Sequence, residues 1–161
     1  MNKYINIAII GLGQIGIYLY NELNLKKNEI EKKTGKKIQV VAISAKNKNK
    51  KRRFKINNEI FFSNPFKIFK EKKIDILFEV IGTSDGISKK IVEQALNNKI
   101  HVITPNKALI AKHGDYLGKI AEKNNVSLEF EASVAGGIPI LKTLKEGLAT
   151  NKITKVFGIL N

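Results

Sequence analysis

Apolar runs of strand length alternate along this chain with segments of helical spacing. Six runs predict strands: Ile5 to Ile10, Ile38 to Ile43, Ile74 to Val80, Ile100 to Ile103, Val126 to Glu131 and Ile153 to Leu160. Each is short, rich in β-branched or aromatic residues and bounded by polar or glycine positions. Between them lie the helical segments. Ile15 to Lys33 predicts a helix that ends near Gly35. Pro65 opens a short helix behind Asn64 or Ser63 as cap. Ser84 or Asp85 caps a helix to Asn97, in which Ile87 to Leu96 has core spacing. Ala108 to Asn124 predicts a helix broken near His113-Gly114, and Ile138 to Leu148 one with Pro139 in its first turn. Ala45 to Asn58, dense in lysine and asparagine, predicts an exposed loop.

Strands that alternate with helices pair in parallel through right-handed crossovers. Strands apolar on both faces suit a sheet covered by helices on both sides. The expected fold class is α/β, with a doubly wound, mostly parallel sheet. No internal repeat or second compact domain is visible, so residues 1–161 are taken as one domain.

Three glycines follow the first strand at a point where glycine weakens either strand or helix. Gly11-Leu12-Gly13-Gln14-Ile15-Gly16 is the pattern G-x-G-x-x-G, placed after a strand and before a helix. Gly11 permits a tight turn, Gly13 lets backbone approach a pyrophosphate, and Gly16 lets helix and strand pack closely. The helix start offers free N–H groups and a positive dipole end to phosphates. The expectation is therefore a Rossmann-type domain that binds a nicotinamide dinucleotide, against the plainer reading of a glycine-rich turn with no ligand. An acid at the end of the second strand would select NAD. Ile43-Ser44-Ala45-Lys46-Asn47 has none, and Lys46, Lys48, Arg52 and Arg53 follow. A basic loop suits the 2′-phosphate, so NADP is preferred over NAD. The competing reading is a loop that is simply solvated.

Composition removes other classes. The chain has 161 residues, 43% of them hydrophobic, enough for a real core. No apolar stretch reaches the roughly 18 residues of a membrane span, and no signal peptide is read at the start. Cysteine is absent, which removes disulfides, thiolate metal sites and a cysteine nucleophile. A cytoplasmic location is the default expectation. The net charge of +15 invites a nucleic-acid reading. We discount it, because all 29 basic residues except Arg52 and Arg53 are lysine and most are scattered. Arginine is the better residue for bidentate contacts to phosphates and bases.

Four further stretches carry chemistry. Phe78-Glu79-Val80-Ile81-Gly82-Thr83 ends the third predicted strand, TPNKAL follows the fourth, FEASVAGGIPI follows the fifth and is itself followed by LKEGLA, and GILN closes the sequence. In an open α/β sheet the ligand lies beyond the carboxyl ends of the strands, where the first three stand. In this order and spacing, these motifs resemble homoserine dehydrogenase. The resemblance runs from the glycine loop to the last residue. It implies reduction of L-aspartate 4-semialdehyde to L-homoserine with NADH or NADPH, in threonine, methionine and isoleucine biosynthesis. It also implies that the family's C-terminal catalytic and dimerisation domain is missing here, so a homodimer is expected only of the longer protein.

The resemblance assigns roles. Lys107 would sit by the nicotinamide and substrate, where its ammonium polarises the aldehyde oxygen. Leu12, Gln14 and Ile15 would present backbone to the pyrophosphate beside Gly11, Gly13 and Gly16. Thr83 and Pro105 would line the nicotinamide ribose, with Asn106 holding the loop. Glu131, Val134, Gly136 and Ile138 match the family's monovalent-cation site, where carbonyl oxygens would hold a structural sodium ion. The plainer readings are a surface lysine, a helix cap at Thr83 and a Gly-Gly turn without an ion. Glu79 reads as a structural hydrogen-bonding group, and His101 and His113 as surface or packing residues. An aspartate-semialdehyde dehydrogenase is excluded by the missing cysteine. The alternative from another class is a stand-alone NAD(P)-binding module without catalytic activity.

Overall fold

The computed structural model describes residues 4–48 and 60–158. Arg52, Arg53, most of the lysine-rich loop and the last residues of the GILN motif lie outside the described residues. The strands are β1 Tyr4–Ile10, β2 Lys37–Ser44, β3 Phe61–Phe62, β4 Ile76–Glu79, β5 His101–Ile103 and β6 Leu128–Glu129. They form one sheet in the order β3-β2-β1-β4-β5-β6, and every pairing is parallel. The order reverses between β1 and β4. That reversal is the switch point of a doubly wound sheet, where a crevice opens above the strand ends.

The helices are α1 Gln14–Leu25, α2 Lys27–Thr34, α3 Ile68–Glu71, α4 Ile87–Asn97, α5 Lys107–Lys123 and α6 Ile140–Lys142. Side chains on β1 alternate between two cores, as the period of two along a strand requires. Ala8 and Ile10 face a cluster built with Ile91, Leu96, Leu109 and Leu117 of α4 and α5. Ile7 and Ile9 face a second cluster, against which Ile17 and Tyr20 of α1 pack.

Local chemistry sets several boundaries. Gly35 ends α2 in the left-handed region at φ +69°, its N–H bonded to the Glu31 carbonyl. Asn64 caps the turn opened by Pro65, accepting from the Phe66 N–H, as the sequence suggested. Other expectations are corrected. The segment Ile15 to Lys33 is two helices, because the chain leaves helical geometry at Lys26. The short strand Phe61–Phe62, two residues beside Ile43 and Ser44, was too brief to leave a pattern. No break occurs at His113-Gly114, and α5 runs through. Burial of Leu109, Leu117 and Ala121 on the sheet outweighs a glycine penalty of about 1 kcal/mol. Neither Ser84 nor Asp85 caps α4, since Gly86 holds that position without a side-chain bond.

The region after β6 differs most. Glu131–Ser133 forms a 3-10 turn, so β6 stops at Glu129. The helix expected from Ile138 to Leu148 is α6 followed by a π-helical turn over Thr143–Gly147. Residues 152–158 form no strand, and Val156 and Phe157 are 70% and 86% exposed. A strand needs a neighbour to pair its backbone, and none flanks this segment among the described residues.

The core assignment is open to a paired test. Ile91 is fully buried, while Ile87, one turn earlier on α4, is 51% exposed. Ile91→Ala is expected to cost about 2–5 kcal/mol in urea unfolding, and Ile87→Ala about 0.5 kcal/mol or less. Equal losses would refute this packing of α4.

Candidate functional site

The glycine loop sits at the carboxyl end of β1, beside β4. The Gly11 N–H donates to the Ser44 carbonyl at 2.8 Å, and the Val80 N–H to the Ile10 carbonyl at 2.8 Å, so the turn is tied to β2 and β4. The glycines are required for different reasons. Gly11 has φ +111°, and a Cβ there would lie 2.5 Å from the Val80 carbonyl oxygen. A Cβ on Gly16 would lie 2.0 Å from the Gly11 carbonyl oxygen. Neither position accepts a side chain in this fold. A Cβ on Gly13 would meet nothing within 4 Å, and its backbone, at φ −76° and ψ −164°, is open to any residue. The protein itself therefore makes no demand for glycine at position 13.

Gly13 is also the N-cap of α1, with no side-chain cap and no acid in the first turn. The Ile17 N–H is bonded to the Gly13 carbonyl. The first N–H groups of α1, beginning at Gln14 and Ile15, have no carbonyl one turn back within the helix. Ile15 is 58% exposed, whereas the Leu12 side chain is buried.

The ends of β4 and β5 are joined through Glu79, whose side chain is fully buried. Its Oε1 accepts from the Ile81 N–H at 2.9 Å, and its Oε2 from the Thr104 hydroxyl at 2.6 Å and the Asn106 amide Nδ2 at 3.3 Å. Thr104 Oγ1 in turn accepts from the Asn106 N–H at 3.1 Å. Asn106 donates through Nδ2 to the Thr83 carbonyl at 2.8 Å and caps α5, accepting from the Leu109 N–H at 3.1 Å. This bears out Glu79 as a structural acceptor and Asn106 as the residue that holds the loop.

Lys107 is the first residue of α5, directly after this cap, and it is exposed. A cation at a helix N-terminus opposes the macrodipole by about 0.3–1 kcal/mol. No carboxylate offsets that cost at ion-pair distance among the described residues. Pro105, half-buried, separates Thr104 from Asn106. Thr83 is exposed, and its hydroxyl is paired with the Ser88 hydroxyl at 2.8 Å at the start of α4. Beyond it, Asp85 reaches α5. Its Oδ2 accepts from Lys112 Nζ at 2.7 Å, and its Oδ1 is 2.9 Å from His113 Nε2. Hydrogen bonds from Lys112, His113 and Ser84 hold the Asp85 carboxyl well below the usual carboxylate range. Sequence reasoning missed this contact by giving Asp85 to α4. No local signal could have found it, because the partners are 27 and 28 positions away.

Lys46 is exposed two residues past the end of β2. The remaining site residues lie apart from the glycine loop in sequence, in the turn after β6. The Glu131 carboxylate accepts from the Leu141 and Lys142 N–H groups at 3.0 and 2.9 Å and so caps α6. The Glu131 and Ile138 carbonyls each accept one amide, from Val134 and Ile140. No amide donates to the Val134 or Gly136 carbonyls among the described residues. Ala135 and Gly136 both have positive φ, at 51° and 62°. No cluster of three or more His or acidic residues suited to a metal occurs among the described residues, and no helix there is long and apolar enough to cross a membrane.

Comparison with known proteins points one way. The family model of the NAD-binding domain of homoserine dehydrogenase matches residues 11–131. A homoserine dehydrogenase of Neisseria gonorrhoeae is 38% identical over 159 residues, covering 99% of this chain and 36% of that protein. One from Bacillus subtilis is 35% identical over 159 residues, again covering 99% and 36%. The crystal structure of a homoserine dehydrogenase from Thiobacillus denitrificans superposes with a TM-score of 0.82 at 37% identity, over 92% of this chain and 34% of that one. The chain thus spans about a third of the length of the curated relatives it matches.

The Glu79 network gives a direct test. Glu79→Gln replaces one acceptor oxygen with an NH₂ group that faces donors. It is expected to lower stability by about 1–3 kcal/mol, read as a fall in the thermal midpoint. An unchanged midpoint would remove Glu79 from its organising role.

Proposed function

The chain belongs to the homoserine dehydrogenase family, and from that premise we propose that it is the nucleotide-binding domain of an enzyme that reduces L-aspartate 4-semialdehyde to L-homoserine with NAD(P)H. The observation that carries the reading is the open space at Gly13. A glycine that the fold does not need, at the start of a helix with unpaired N–H groups, fits a ligand whose phosphates approach the backbone there.

Gly11, Leu12, Gly13, Gln14, Ile15 and Gly16 form the pyrophosphate cradle in this proposal, with Thr83, Pro105 and Lys107 toward the nicotinamide ribose. When bound, the nicotinamide supplies the hydride. The Lys107 ammonium stabilises negative charge as it grows on the substrate carbonyl oxygen. Its unpaired state at a helix N-terminus supports this role, since a lysine there is disfavoured unless something anionic visits. NADPH is the preferred cofactor, because β2 ends at Ser44 without an acid and Lys46 follows. Glu131, Val134, Gly136 and Ile138 would hold a sodium ion through backbone carbonyls, each of which retains a free lone pair. The ion would be structural.

Homodimerisation of the longer protein and a cytoplasmic location belong to the same proposal. A second reading is a stand-alone module that binds the nucleotide and turns nothing over. The two readings part on whether the longer protein oxidises homoserine.

Gly13→Val is expected to lower stability by no more than about 1 kcal/mol, the cost of a poorer N-cap, and to weaken NADPH binding at least about tenfold in a fluorescence titration. The same titration with NADH tests the NADPH preference. Undiminished binding by the variant would sink the cradle. In a chain of the relatives' full length, Lys107→Met is expected to lower kcat about 10²–10³-fold. A change confined to KM would refute the proposed role of Lys107.

A further inference from the structure

We propose that Asp85 is a positioning residue for the nicotinamide half of the bound nucleotide, docking the loop of residues 82–86 onto α5 through Lys112 and His113. The inference rests on the dinucleotide reading above. In a doubly wound sheet each half holds one end of a dinucleotide. The first half, β1 to β3, carries the end of β2 where the adenosine ribose is read. The loop after β4 therefore belongs to the nicotinamide end.

That loop has a glycine with positive φ at each limit, Gly82 at 92° and Gly86 at 67°, and a Cβ on either would meet nothing within 4 Å. Side-chain packing at these two joints does not fix its path. Its restraints are hydrogen bonds. Asn106 Nδ2 holds the Thr83 carbonyl and Ser88 the Thr83 hydroxyl. Asp85 engages Lys112 and His113 with one oxygen each, while the Ser84 hydroxyl donates to Oδ2 at 2.8 Å. One exposed ion pair is worth little. Here, however, both carboxylate oxygens are bridged to consecutive residues of the helix that begins with Lys107. The same contact therefore sets the loop that carries Thr83 against the helix that carries Lys107.

Other contacts secure the seam between α4 and α5 without Asp85. Lys89 lies over the Tyr116 ring at 5.3 Å, the Tyr116 hydroxyl donates to Glu93, and the buried core lies beneath. Loss of Asp85 should free the loop and leave the helices in place. A loop docked only part of the time weakens a ligand in proportion to the docked fraction.

The test compares wild type, Asp85→Asn and the double variant Lys112→Met/His113→Gln in calorimetric titrations with NADPH and with 2′-phosphoadenosine 5′-diphosphate, which lacks both the nicotinamide and its ribose. Both variants are expected to bind NADPH about tenfold more weakly, as the docked fraction falls to about a tenth, and the adenosine compound as wild type does. A parallel loss for both ligands would make the contact merely structural and overturn the proposal, as would unchanged NADPH binding. Wild-type protein that binds neither ligand would overturn the dinucleotide reading itself, and this inference with it.

Discussion

Glu79 ends β4 with no solvent exposure, and donors from three places converge on its carboxylate: the Ile81 backbone, the Thr104 hydroxyl and the Asn106 amide. A buried carboxylate without donors would be very costly. With them it becomes a fixed point, because each donor has to arrive at a set position. Two of the donors stand at the end of β5 and one at the end of β4. The ends of two neighbouring strands are thus locked to each other at the face where the sheet opens. Asn106 extends the lock, since the same side chain holds the Thr83 carbonyl and caps the helix that begins with Lys107. In such a network the satisfied groups stiffen one another. The site is preorganised by a residue that need not touch a ligand.

The glycine loop shows a complementary division. Gly11 and Gly16 are demanded by the fold, because a methyl group at either would strike backbone. Gly13 meets no such limit, and it is the position at which a ligand's phosphates would press. The fold thus accounts sterically for two of the three glycines, and the proposed phosphate cradle for the third.

Among the described residues, several lysines pair with acids one helical turn away, as in Lys26–Glu22, Lys33–Glu29 and Lys119–Asp115. Exposed pairs of this kind contribute little to stability. Lys107 and Lys112 differ by position. One begins α5 beside the Asn106 cap, and the other holds an acid of the adjoining loop.

The sequence by itself determined the alternation of strands and helices, the parallel doubly wound sheet, the turn at the glycines and the cap before Pro65. These follow from local periodicity and from backbone preferences, which neighbouring residues carry. The structural part played by Glu79 was also legible, from an acid inside an apolar strand, whereas the anchoring part played by Asn106 came from the family resemblance. Tertiary structure alone decided the rest. Packing of Leu109 and Leu117 kept α5 whole across Gly114. The brief strand β3 exists only because β2 offers an edge. Residues 152–158, apolar enough to read as a strand, form none where no edge meets them. Asp85 reaches α5 rather than capping α4 because Lys112 and His113, distant in sequence, are brought within reach. Periodicity reports which face of an element is apolar, but which partner meets that face depends on how the whole chain folds back on itself.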